Sequence, residues 1–245
     1  KGVDEKLTSL LVYTSAVYCC PDQGGYTARA SLVRMRAPRT VSVGMPDAYR
    51  GTVVSEWIQD AMGLANEASG GLVTFVLSGS SAGDVQIRES FTGATPQGVP
   101  AAGYFTASIE GGYIRGGEIT LSTAEWASDP PATWPRSFQD EWRYVWKLRH
   151  LRHIVAHELG HCLGLQHHEE RTGMMTSFRD YKAFEYFLNA TELFTPADVA
   201  LVRPAYRRPP GNVFPDSDDR VFVSSARRRA LVCVLESGPD RSRRE

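Results

Sequence analysis

Read for the period of its apolar positions, the chain predicts strands and helices in a definite order. Residues 39–43 (R-T-V-S-V) alternate with the two-residue period of a strand, and Pro46-Asp47 breaks the run. From Gly51 the period changes. Val53, Val54, Trp57, Ile58, Ala61, Met62 and Ala65 recur at three- and four-residue spacing, which predicts an amphipathic helix laid on a sheet and ended by Gly70-Gly71. Residues 72–77 (L-V-T-F-V-L) lack polar alternation apart from Thr74 and suit a strand in a sheet interior. Val85-Gln86-Ile87-Arg88 alternates again. After a Gly/Pro-rich loop, residues 104–108 (Y-F-T-A-S) and 118–122 (E-I-T-L-S) each predict a strand. A loop at Asp129-Pro130-Pro131 and Trp134-Pro135 precedes a helix starting near Ser137, whose apolar positions run through Trp142, Val145, Trp146, Leu148, Leu151, Ile154 and Val155. Thr195-Pro196-Ala197-Asp198 reads as a helix start, with Thr as cap, Pro at the first position and an acid in the first turn. That helix extends toward Tyr206, and Pro204 limits its length. Residues 1–36 and 209–245 stay unassigned extensions, and no repeat is visible.

Composition changes this picture little. At 245 residues, 42% hydrophobic and 22% charged, the chain has the size and balance of one core plus extensions. A net charge of −1 gives no argument for nucleic acid, and no apolar run is long enough to span a bilayer. Lys1 in place of an initiator Met reads as a trimmed N-terminus. The apolar stretch 10–18 follows Asp4 and Glu5 and has no cleavage site of small residues after it, so it reads as a strand and not a signal core. Cys19, Cys20, Cys162 and Cys233 allow two disulfides in three connectivities, or a small buried hydrophobe at Cys162.

The histidines carry the chemistry. All six lie between His150 and His168. His157 and His161 are four apart, so on a helix they share one face and can both bind one Zn²⁺. Glu158 beside them can reach a metal-bound water without ligating the metal. Gly164 supplies the left-handed residue that stops a helix and turns the chain, so that His167 can return as a third ligand. Three protein ligands with a fourth position open is the layout of a catalytic zinc site. His150 and His153, two turns and one turn before His157, read as bystanders, partly buried or solvated, and His168 competes with His167 less well.

The run H157-E-L-G-H161-x-L-G164-L-x-H167 resembles the long zinc signature of the metzincin metalloproteases. Gly173-Met174-Met175-Thr176 resembles the family's methionine turn, with Met175 at the spacing of the matrixin branch. The resemblance covers residues 37–206 in layout and is strong over 154–178. It implies an α+β fold: a catalytic domain over 37–208 with a twisted mixed sheet, an active-site helix, a Met-turn and a C-terminal helix. It implies a secreted zinc endopeptidase, expected to be a monomer, acting on peptide or protein substrates through a zinc-bound water with Glu158 as general base and acid. Met175 then forms a floor under the metal. The strand at residues 104–108 becomes the lower edge of the sheet, where Tyr104, Phe105 and Thr106 receive an extended peptide, and Phe178 and Tyr181 line an apolar pocket. Two other readings stand beside this one: a non-catalytic zinc-containing domain that binds peptides or proteins, and a zinc hydrolase of non-peptide amides. The presence of Glu158 argues against the first. Calcium stays open as a second ion. Asp216, Asp218 and Asp219 do not match an EF-hand loop and read better as a solvated turn. Arg227-Arg228-Arg229 reads as solvated surface or a protease-sensitive run. Ser177 stands where some metzincins have a switching tyrosine. The matrixin latency motif is absent, with Cys20-Pro21-Asp22 only a faint echo. Asn189-Ala190-Thr191 is a glycosylation sequon.

Overall fold

The computed structural model describes residues 33–90, 101–122, 132–133, 135–141, 143, 147–165, 175, 202, 205–206 and 230–236. Their strands are β1 (Arg34–Met35), β2 (Arg39–Gly44), β3 (Val73–Leu77), β4 (Val85–Ser90), β5 (Ala101–Glu110), β6 (Tyr113–Ser122) and β7 (Ala230–Glu236). The helices are α1 (Val53–Ser69), α2 (Arg136–Glu141) and α3 (Lys147–Cys162), and Asp47–Tyr49 forms a single 3-10 turn. The sheet runs β3-β2-β4-β6-β5-β7, and β1 adds to β6 off that path. β2 pairs in parallel with β3 and β4, and β6 in parallel with β1 and β4, whereas β5 is antiparallel to both β6 and β7. This α+β layout with a mixed sheet agrees with the expected class. The order of strand, helix, four strands and motif-bearing helix is the one read from the periodicity.

One face of the sheet makes the core. Val41, Val43, Phe75, Val85, Ile87, Phe105, Ile119 and Leu121 are buried there. Register carries a row straight across the sheet, since Ile87 lies opposite Ile119 and Ile119 opposite Phe105. On that face α1 covers the β3 end and α3 covers β5 and β6, and the two helices pack on each other. Arg152 of α3 joins them, ion-paired to Asp60 and with its guanidinium 5.8 Å from the Trp57 ring centre. The α1 boundary follows its signal: Gly70 sits at φ 61 and its N–H donates to the Glu67 carbonyl.

Two strand expectations need correcting. β3 is not interior but ends the sheet, and its Val76 is 40% exposed. Its free side is met by Asn66 of α1: the Asn66 amide donates to the Phe75 carbonyl at 3.0 Å and accepts from the Phe75 N–H at 2.6 Å, as a neighbouring strand would. An apolar run shows that a strand packs, not on how many edges it pairs. Conversely, the strand around residues 104–108 was expected to be an edge, yet β5 is paired on both sides because β7 lies along it. Both extensions thus contribute strands: β1 from the N-terminal one and β7 from the C-terminal one. Where the sequence predicts one helix from Ser137 onward, the described residues show α2 and α3.

Loops join the sheet through Asp84. Its carboxylate accepts from Arg39 at 2.8 Å, from the Ser42 N–H at 2.9 Å and from the Ser42 hydroxyl at 3.0 Å, while its carbonyl accepts from the Gly117 N–H at 2.9 Å. Burial raises the Asp84 carboxyl, but the Ser42 N–H and hydroxyl and then the Arg39 guanidinium together hold it below its ordinary value. Beside Gly164, Arg34 is buried, 5.6 Å from the Tyr113 ring centre and 5.0 Å from that of Tyr206. Val202, Ala205 and Tyr206 are helical. This clamp fastens the start of β6 and that helix to β1.

Candidate functional site

Helix α3 is buried on nearly every side, and its residues from His153 to Cys162 are all buried. A helix buried all round is ordinarily apolar, but this one carries four histidines and a glutamate. Buried polar groups need partners, so the helix points to a site.

His157 and His161 occupy the shared face that their spacing predicts. Their rings meet edge to face with centroids 4.8 Å apart and planes at 84°. The Nδ1 of His161 lies 2.8 Å from the Leu165 carbonyl. A carbonyl can only accept, so Nδ1 donates, and in the neutral ring the lone pair is left on Nε2. Such a second hydrogen bond is what fixes the tautomer and orientation of a metal-binding histidine.

The Leu165 carbonyl is placed by the way α3 ends. The Leu165 N–H donates to the Gly160 carbonyl at 3.0 Å and the Gly164 N–H to the His161 carbonyl at 2.9 Å, the paired bonds of a Schellman stop. Gly164 takes φ 95, and a Cβ there would lie 2.5 Å from the Val33 carbonyl oxygen, so both the turn and the approach of the chain beside β1 require glycine.

Glu158 is fully buried, and neither carboxylate oxygen has a hydrogen-bond partner among the described residues. Burial pushes its carboxyl well above the ordinary range. β5 passes directly over it: a Cβ built on Gly103 would lie 2.5 Å from Ile154 Cγ2 and 3.5 Å from Glu158 Oε1. Gly103 was not singled out from the sequence. The small run Ala101-Ala102-Gly103 at a strand start is the signal that could have found it, since strand glycines often mark a close approach.

Met175 is fully buried, with its sulfur 2.3 Å from where a Cβ on Gly160 would sit, so it lies against α3 one turn from His157. Cys162 is a free buried thiol, raised by burial and by the Glu158 charge. His150 and His153 are buried, not solvated; burial holds them at about 4 and about 3. The His153 ring centre stands 6.4 Å from that of His157. Tyr104, Phe105 and Thr106 lie on β5, each with a register partner on both β6 and β7. His167, His168, Phe178, Tyr181, Ser177, the sequon, the Asp216–Asp218–Asp219 group and the arginine triplet lie outside the described residues. Among the described residues, no three His, Cys, Asp or Glu side chains gather as a metal cluster. Imidazole and carboxylate are donor groups that suit zinc, and α3 carries two imidazoles on one face and a buried carboxylate beside the first of them.

The matrixin family model matches residues 49–193, more than half of the chain. No curated protein matches it.

Proposed function

The chain belongs to the matrixin family, whose members are in general zinc-dependent endopeptidases, and on that basis we propose that it hydrolyses peptide bonds with Glu158 as general base and acid. The observation that carries this reading is the Glu158 carboxylate, fully buried and without a hydrogen-bond partner among the described residues, on the helix whose His157 and His161 rings meet at 4.8 Å. A carboxylate buried in that way is costly unless it has work to do on a ligand.

In this reading His157, His161 and His167 hold one Zn²⁺. When bound, the ion polarises the scissile carbonyl and brings the pKa of water toward neutrality. Glu158 takes the proton of the attacking water and passes it to the departing amine, which is otherwise a poor leaving group. The Leu165 carbonyl keeps His161 in the tautomer that puts the ring lone pair on Nε2. Met175 supports α3 from below. The backbone at Tyr104, Phe105 and Thr106, paired with β7 in this structure, would receive an extended substrate only where β7 gives up that edge, and Phe178 and Tyr181 favour an apolar residue after the cut. The domain spans 37–208 and acts as a monomer. Matrixins are generally extracellular, and no helix among the described residues is long and apolar enough to cross a membrane; we place this protein outside the cell.

A diverse peptide library incubated with and without a chelator tests the activity. Cuts that disappear with chelator and return with zinc are expected; a cut pattern indifferent to chelator contradicts zinc peptidase chemistry. The ligand set is tested by His161→Ala, which loses tight stoichiometric zinc in a metal titration. Full zinc occupancy in that variant would show the ligands to be elsewhere. A folded, zinc-loaded wild type that binds peptides and cuts none would support the non-catalytic alternative.

A further inference from the structure

Strand β7 lies where an extended peptide would have to go. β5 offers β6 one of its edges, and Ala230–Glu236 runs antiparallel along the other. The register is continuous from Ser108 opposite Ala230 to Tyr104 opposite Val234, shifts there, and resumes at Ala101 opposite Glu236. That irregularity spans Ala102 and Gly103, and a Cβ on Gly103 would lie 3.5 Å from Glu158 Oε1. β7 also reaches α3. The segment therefore tracks β5 past the buried carboxylate, along the edge at which backbone pairing with a substrate would occur.

We propose that Ala230–Glu236 is a built-in competitor, a segment of the chain that occupies the peptide-docking edge of β5 and must be displaced before a substrate strand can pair there. The proposal rests on the peptidase reading for its meaning, but the pairing it concerns is independent of any chemistry. The sequence of the segment, A-L-V-C-V-L-E, suits the role. It is a β-forming run preceded by Arg227-Arg228-Arg229 and followed, after Ser237, by Gly238-Pro239, so the strand is short and bounded by residues that do not extend it. Main-chain pairing is indifferent to side chains, so a tethered strand and a substrate of different sequence compete for the same N–H and C=O groups. Tethering sets the scale: an effective concentration on the order of 1 mM against a strand that binds in trans at about 0.1 mM weakens an outside peptide roughly tenfold.

The test uses the full chain and a fluorescein-labelled peptide of residues 230–236 carrying Cys233→Ser, followed by anisotropy. Successive N–H groups of a strand point to opposite sides. The pair Val232→Pro with Cys233→Pro therefore removes at least one donor facing β5. This variant is expected to bind the labelled peptide about tenfold more tightly than wild type, with faster amide exchange confined to residues 101–108. Unchanged affinity, or unchanged exchange on β5, overturns the proposal. A second variant does not depend on the first folding. Thr106→Cys with Val232→Cys puts thiols at register partners. Oxidation then locks β7 in place and abolishes peptide binding, and reduction restores it; an oxidised lock that still binds peptide as well as the reduced form refutes displacement. Binding that follows the strand while no form cleaves any peptide leaves this inference standing and removes the peptidase reading. Equal binding and equal cleavage by all forms does the reverse.

Discussion

At the scale of single residues, the site depends on a backbone carbonyl as much as on its histidines. The His161 ring is oriented by its Nδ1, which is tied to the Leu165 carbonyl, and Leu165 is there because Gly164 turns left-handed beneath the Val33 carbonyl. Gly164→Ala should therefore do two things at once. A Cβ at φ 95 and 2.5 Å from backbone oxygen costs about 1–3 kcal/mol of stability, and the shift of Leu165 loosens His161. Thermal unfolding and a zinc titration on the same sample check both. A variant as stable as wild type with unchanged zinc affinity would show that this turn does not position the histidine.

At the scale of elements, the sheet is held at one end by a helix side chain and at the other by the C-terminal strand. Asn66 satisfies both backbone groups of Phe75. Asn66→Ala removes two hydrogen bonds and leaves their partners facing α1, at a cost of about 1–3 kcal/mol. Denaturant unfolding and amide exchange at Phe75 measure it; unchanged exchange there would mean that α1 does not secure β3. The helices and the four strands between them were legible because each writes its burial into a local period: the α1 stripe from Val54 to Ala65, the alternation of Val85 and Ile87. The His157–His161 spacing was legible for the same reason, since a shared helix face is a local property. Strand neighbours are not local. Nothing within A-L-V-C-V-L-E says that it docks on β5, and the two residues of β1 are too few to carry a period. The run 72–77 displays apolar character on both alternations while one of its edges meets only Asn66. The carbonyl of Leu165 and the approach of Gly103 to Glu158 are backbone geometry, which residue identity does not encode beyond a suggestive glycine.

At the scale of the whole molecule, the interior carries ionisable groups that fold in their uncharged forms, and acid should expose this. Burial is the largest cause lowering His150 to about 4 and His153 to about 3, from an ordinary value of 6.5. Between 6.5 and about 4 the unfolded chain binds protons that the folded chain refuses. Their contribution to stability is thus fully present above that window and falls as pH drops through it, by up to about 1.4 kcal/mol per pH unit for each histidine. Glu158, raised by burial, contributes in the opposite sense, so the histidine linkage is read as a difference: in urea unfolding from pH 7 to 5, in chelator so that zinc does not add its own proton linkage, His153→Leu should lose less stability on acidification than wild type. A slope unaltered by His153→Leu would place the linkage elsewhere. The central claim, however, concerns a carboxylate of the opposite preference, and one measurement tests it most directly: peptide cleavage by zinc-loaded Glu158→Gln, which keeps the shape of the side chain and removes only its proton chemistry. A folded variant with stoichiometric zinc and a kcat reduced by at least about 10²–10⁴ is expected. Cleavage by that variant at close to the wild-type rate, with contaminating protease excluded, would contradict the account.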